Sequence, residues 1–187
     1  MQTIEQSFVG RYEVKKSKFI AHLVPISDYK GLQEKLREEH PKARHVVYAL
    51  RYLNEFDQIV ENASDDEEPK GAAGVPSLNV LRGQELVNVA VVTVRYFGGT
   101  KLGIGGMARA YASAVKEVLA VADIKKYEKE FLYEFETSYS GVQKCDYALK
   151  KLEIFQVDRD FLGDKVAWKI KSTQEKLDTL KALLTKE

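Results

Sequence analysis

"NVAVVTVRYFGGTKLGIGGMARAYASAVK", Asn88 to Lys116, is the stretch whose reading decides the fold. With the two residues before it, its first part "LVNVAVVTVRYF" is nearly all apolar and rich in β-branched side chains, which predicts a strand buried on both faces. Its last part opens the alanine-rich run "MARAYASAVKEVLAVA", which has no internal breaker and predicts a helix. Between them, five of the chain's 12 glycines fall within nine positions, at Gly98, Gly99, Gly103, Gly105 and Gly106. A strand that hands over to a helix through glycines exposes backbone N–H groups at the helix start, where the dipole favours an anion. Arg95, Lys101 and Arg109 add charged donors around it. The same glycines equally suit a tight backbone corner. The named nucleotide motifs fit poorly: Ile104 stands where a Walker A lysine belongs. Gly103, Gly105 and Ala108 satisfy a bare G-x-G-x-x-A, but Asp123 follows the helix directly and does not end a second parallel strand.

Upstream, residues 11–26 mix apolar and basic positions at strand spacing, and Ser27-Asp28 offers an N-cap for the helical "YKGLQEKLREEH" that Pro41 stops. "ARHVVYALRYL" predicts a strand. The acidic, turn-rich segment from Asn54 to Pro76 reads as a long surface loop with a short strand at its start, before a short helix in "SLNVLRGQEL". Downstream, "EFLYEFETSYS" alternates as a strand, and Ser140 with Gln143 has capping-box spacing before a helix with Val142, Cys145, Leu149 and Leu152 on one stripe. Two strands joined at Leu162-Gly163-Asp164 and a last helix with Leu177, Leu180 and Leu184 complete a β-α-β-β-α order. Ser172 and Glu175 repeat the capping-box spacing before that helix. The expected architecture is α+β in two domains, residues 1–126 and 127–187, the second a ferredoxin-like layer of helices on an antiparallel sheet.

The chain has 187 residues and a hydrophobic fraction of 44%, enough for a packed core. No apolar run reaches bilayer length, and "MQTIEQSFVGRYEVKKSKF" is polar where a signal peptide needs its apolar stretch, so a cytoplasmic protein with no membrane partner is expected. The lone Cys145 excludes an internal disulfide and a cysteine zinc cluster. A net charge of +1 leaves only a local patch to attract nucleic acid. In "SDDEEPKG" the carboxylates Asp65, Asp66 and Glu68 offer oxygen ligands, but the spacing is not that of an EF-hand and a solvated acidic turn is the simpler reading. On the earlier strand-like run "HVVYALR", His45 and Arg51 share one face. No nucleophile elbow exists, and Cys145 on its apolar stripe reads as an inert thiol. No catalytic residue, metal set or cofactor is assigned.

Four segments together resemble the IMPACT family and its bacterial members of the YigZ type: "KSKFIAH" (Lys16 to His22), "ARHVVYALR" (Ala43 to Arg51), "SDDEEPKGAAGVP" (Ser64 to Pro76) and the Asn88 to Lys116 stretch. The likeness covers about residues 5 to 125, and the tail is similar to the second domain of bacterial members. Glu67 departs from the family's usual glycine, Ala72 from its threonine and Ile104 from a common threonine. The resemblance implies an N-terminal domain like the fold of a ribosomal protein and of elongation factor G domain IV, followed by a ferredoxin-like piece similar to that factor's domain V. Eukaryotic members regulate translation by competing for the scaffold that activates the amino-acid starvation kinase, partly through an extra domain, and that partner is not carried over.

The leading expectation is a non-enzymatic regulator that binds RNA or a ribosome-associated surface. Arg95, Gly98, Gly99, Lys101, Gly103, Gly105, Gly106 and Arg109 would hold phosphates, with His45, Arg51, Asp65, Asp66 and Glu68 in support, and whichever of Tyr96, Phe97 and Tyr111 is exposed would stack a base. Two rivals stand beside it. One is a metal-assisted enzyme on a phosphorylated small molecule, which requires the three carboxylates to converge on Lys101 and Arg109. The other is a protein-binding adapter with an apolar patch.

Overall fold

The computed structural model describes residues 1–185, which divide into two compact units, Met1–Tyr127 and the remainder from Glu128. In unit 1 the strands are β1 (Gln2–Thr3), β2 (Phe8–Val14), β3 (Ser17–Pro25), β4 (His45–Leu53), β5 (Ile59–Ser64), β6 (Val89–Tyr96) and β7 (Lys125–Lys126). The helices are α1 (Leu32–Glu39), α2 (Gly74–Gly83) and α3 (Ile104–Val121). Five strands form one sheet in the order β2-β3-β6-β4-β5, every neighbouring pair antiparallel. β6 is therefore central, and its residues are buried almost throughout, as its apolar run requires. Because β6 is antiparallel to both β3 and β4, those two strands run the same way with α1 crossing between them. By the same logic α2 links the parallel but non-adjacent β5 and β6. β1 pairs with β7 and ties the start of the unit to its end.

Strand alternation gives the sheet two apolar faces. Val47, Ala49, Val89 and Val91 face α2 and α3, where Ala110, Tyr111, Ala114, Val115 and Val118 complete the main core. Val46, Val92 and Val94 face the other way and bury Leu36 of α1. The helix stripe of α3 recurs at steps of three and four, which fixes the side it turns to the sheet.

Several expectations need correction. Residues 11–26 are a hairpin, not one strand: Lys15 and Lys16 take positive φ (48° and 63°) and reverse the chain without any glycine. Ile26–Asp28 is a single 3-10 turn, and α1 starts at Leu32 behind Gly31 (φ 79°), without a side-chain cap from Ser27 or Asp28. The acidic segment does keep its short strand, β5, but α2 begins at Gly74, ahead of the helix expected from Ser77.

Unit 2 contains β8 (Glu130–Ser138), α4 (Val142–Lys151), β9 (Val157–Leu162), β10 (Lys165–Thr173) and α5 (Gln174–Thr185). Its antiparallel sheet has the order β8-β10-β9. Val166, Trp168 and Ile170 of β10 point to the helices and bury Cys145, Leu149 and Leu180. Burial pushes the Cys145 thiol up to about 11, so it stays protonated at neutral pH. Trp168 stacks on Phe135 at 6.0 Å, lies 5.4 Å from the Arg159 guanidinium and donates to Thr137 Oγ1 at 2.8 Å. The capping box expected from Ser140 does not form: α4 has no side-chain cap, and Ser140 Oγ instead pairs with Ser138 Oγ at 2.8 Å. Ser172 is still within β10, which runs on to Thr173, directly before α5.

Candidate functional site

The register places Phe19, Arg95 and His45 side by side across β3, β6 and β4, on the face that carries α3. Arg95 is near the end of β6 and only 5% exposed. A guanidinium there must be paired, because an isolated buried charge is too costly. Its partner is the equally buried Glu68, which the loop after β5 folds back over the sheet. Glu68 Oε1 also accepts the Tyr111 hydroxyl from α3 at 2.8 Å, and its other oxygen is 3.8 Å from His45 Nε2. Arg95 further packs over Phe19 at 5.6 Å and Phe97 at 6.0 Å, with Nη1 3.3 Å from the Met107 sulfur. Burial, then the negative charge of Glu68, raises the Tyr111 pKa well above its ordinary value. Tyr111 is thus a neutral hydrogen-bond donor and, at 0% exposure, not a stacking platform for a ligand.

The other two carboxylates go elsewhere. Asp65 accepts backbone N–H groups from Gly71 (2.7 Å), Ala73 (3.0 Å) and Gly74 (2.8 Å), which closes its loop and caps α2 from nine residues away. Burial alone would raise its pKa, and the three amide donors outweigh it and hold the carboxyl below the usual aspartate value. Asp66 pairs with Arg37 of α1 and accepts the Val46 N–H at 2.6 Å, while its carbonyl takes the Nδ1 proton of His45 at 2.7 Å. Asp66 and Glu67 sit at φ 46° and 66°, in the left-handed region that favours glycine. Asp65, Asp66 and Glu68 therefore do not converge, and no group of three or more His, Cys, Asp or Glu side chains among the described residues is placed to hold a metal. Arg51 belongs to the opposite end of β4, where it binds Glu61 at 2.9 Å and the Leu86 carbonyl at 2.7 Å.

The glycine segment is built differently. Gly98 presses on the β2–β3 turn: a Cβ there would lie 2.1 Å from the Lys16 carbonyl carbon, and its N–H donates to Ser17 Oγ at 3.1 Å. Gly99 and Gly103 have positive φ (87° and 72°), and Gly105 and Gly106 form the first turn of α3, which has no side-chain cap. Beside this turn a cleft of about 790 Å³ opens over the Arg95–Glu68 pair. Its outer wall carries Arg44, Glu67, Phe97, Lys101 and Ile104, all exposed. Arg109 is exposed but does not line it; two positions after the buried Met107, it points away from the sheet and reaches back toward Gly105. Of the expected cations, then, Lys101 faces the cleft, Arg95 is neutralised beneath it and Arg109 lies outside. Arg44 was not anticipated from sequence. Its position next to His45, at the entry to the strand that pairs with Arg95, was the available signal. Tyr96 turns to the opposite face and bonds His40 Nδ1 at 2.8 Å, which leaves Phe97 as the accessible ring.

The residues that build this cleft lie in a stretch of the chain that matches a known domain. The Impact N-terminal domain model covers residues 15–119, and the chain belongs to the IMPACT family. An IMPACT family member of Haemophilus influenzae is 32% identical over 160 residues, covering 84% of this chain and 78% of its own. IMPACT family member YigZ of Escherichia coli is 40% identical over 112 residues, covering 57% of this chain and 54% of its own. A crystal structure of a hypothetical protein, 28% identical, superposes with a TM-score of 0.67 over 98% of this chain and 90% of that one. No helix among the described residues is long and apolar enough to cross a membrane.

Proposed function

We propose that the chain is a non-enzymatic, cytoplasmic, translation-associated regulator that binds RNA or a ribosome-associated surface at the cleft beside α3. The observation that carries this reading is the pairing pattern of the charges. Arg95 is spent on Glu68, whereas Lys101 and Arg44 form no ion pair among the described residues and stand exposed on the cleft wall. They flank a helix start whose first-turn amides have no side-chain cap, the local chemistry that receives phosphate. Phe97, 52% exposed, supplies a ring for base stacking. Arg109 approaches the same turn from outside and adds to the field. In this reading unit 1 corresponds to the elongation factor G domain IV type, and the β8-β10-β9 order of unit 2 to part of a ferredoxin-like layer.

Binding of single-stranded RNA, followed as a function of salt, tests the proposal. Each lost phosphate contact lowers the log–log salt slope by about 0.7, so Arg44→Ala/Lys101→Ala is expected to lower it by about 1.4. An unchanged slope refutes the site. Glu67 lines the cleft with an exposed carboxylate, and Glu67→Gln is expected to tighten binding. The enzyme rival is disfavoured because its three carboxylates are engaged with separate partners. The adapter rival draws on Ile104 and Phe97, and predicts that Phe97→Ala abolishes capture of a protein while the salt slope stays flat.

A further inference from the structure

The sheet of unit 2 buries one face under its helices and leaves the other open. β10 is its middle strand, so the second side of β8 pairs with no strand among the described residues. Nine residues, Glu130–Ser138, thus present a row of backbone donors and acceptors, which is a template for an added strand. The side chains along that edge alternate between two chemistries. On the helix side, Tyr133, Phe135 and Thr137 line a groove of about 290 Å³ with Lys181 and Leu184 of α5. The cations at its rim are already engaged: Lys181 Nζ lies 4.6 Å from the Tyr133 ring centre and 3.7 Å from Asp178, and Lys144 donates to the Leu184 carbonyl at 3.2 Å. On the open side, Glu134 and Glu136 border a second hollow of about 460 Å³ with Asp158 and Asp160 of β9. The register sets these residues in rows, Glu134–Lys169–Asp158 and Glu136–Ala167–Asp160. Across the first row the charge runs negative, positive, negative, so the sheet ends on a carboxylate at the β8 edge. Each of the two glutamates bridges a lysine of β10, Glu134 to Lys169 at 3.1 Å and Glu136 to Lys165 at 3.0 Å.

We propose that the β8 edge binds an extended segment of a partner protein in which lysine or arginine alternates with aliphatic or aromatic residues. Added beside β8, such a segment continues the charge alternation with its cations next to Glu134 and Glu136, while its apolar side chains enter the groove over Tyr133 and Phe135. A second copy of this chain is a poor occupant, because pairing two β8 edges brings glutamate beside glutamate. RNA is excluded from this face by the same carboxylates, which repel phosphate.

The test uses the full-length protein and a blocked ten-residue peptide of alternating lysine and valine or phenylalanine, with binding read by amide chemical shifts. Shifts confined to residues 130–138 and their groove neighbours are expected. A scrambled peptide of equal composition should bind about tenfold more weakly, as should the alternating peptide to Glu134→Lys/Glu136→Lys, since two cross-strand charge pairs change sign. A peptide N-methylated on its edge-facing amides keeps its charge but loses the ladder, and is expected not to bind. Equal binding of scrambled or methylated peptide overturns the proposal, as do shifts elsewhere, self-association through β8, or an RNA oligonucleotide that displaces the peptide from these resonances.

Discussion

Two neighbouring loops of unit 1 carry most of the polar residues that drew attention in the sequence, and they are held in opposite ways. The acidic loop between β5 and α2 is stitched by its own side chains: Asp65 binds three backbone amides, Asp66 binds an arginine and an amide, and Glu68 plugs into Arg95. The glycine loop between β6 and α3 is placed by backbone proximity at Gly98, and its lysine is left facing solvent. Carboxylates that read as possible ligands are thus structural, and the loop with few side chains is the one with groups to spare. In these two loops the buried charges are used by folding, and the exposed ones are left for a ligand.

The comparison breaks first at Glu68. Glu68→Ala leaves the Arg95 guanidinium buried without its counter-ion and is expected to destabilise unit 1 by about 3–5 kcal/mol, measured by urea denaturation. A loss within 1 kcal/mol would mean that water reaches the arginine and that the acidic loop is not held as described. Next comes Gly98→Ala, whose Cβ collides with the backbone of Lys16 and Ser17. Shifting that hairpin is expected to cost about 1–3 kcal/mol, with amide shifts in β2 and β3. Asp65→Ala removes the cap of α2 and should cost about 1–2 kcal/mol. The sign with pH follows from the lowered folded-state pKa: the Asp65 contribution is fully present above the unfolded value near 3.9 and is lost as pH falls through the folded value. The wild-type and Asp65→Ala stabilities are therefore expected to approach each other in acid. The smallest effect sharpens the contrast most. Gly105 is in the first turn of α3 with only ordinary contact for a Cβ, so Gly105→Ala is expected to raise stability by about 0.5–1 kcal/mol while weakening RNA binding. A gain in stability with unchanged binding would show that the helix start is packing alone.

What was legible in the sequence was local. The apolar run of β6 and the unbroken helix of α3 follow from periodicity, and so do the alternating faces of β8 and β10, because each pattern is written within one segment. The hairpin at Lys15-Lys16 was missed because its positive φ values fall on lysines, which carry no turn signal. The cap of α2 was missed because Asp65 reaches it across a loop, whereas the nearby Ser140 spacing was read as a cap and is none. Arg95 was read as a ligand donor because its partner Glu68 is distant in the chain. The direction of Arg109 was readable: two positions from Met107 and two from Tyr111, it turns away from the face those residues bury and toward Gly105.

The single tryptophan of the chain is packed between Phe135 and Arg159 in unit 2. Its emission therefore reports on melting of that unit alone, while far-ultraviolet dichroism reports on both. Recording the two signals in one titration separates the halves of the protein optically, with no label and no cut. A substitution such as Glu68→Ala should then split what would otherwise look like one transition, and the size of the split measures how far the halves depend on each other to stay folded.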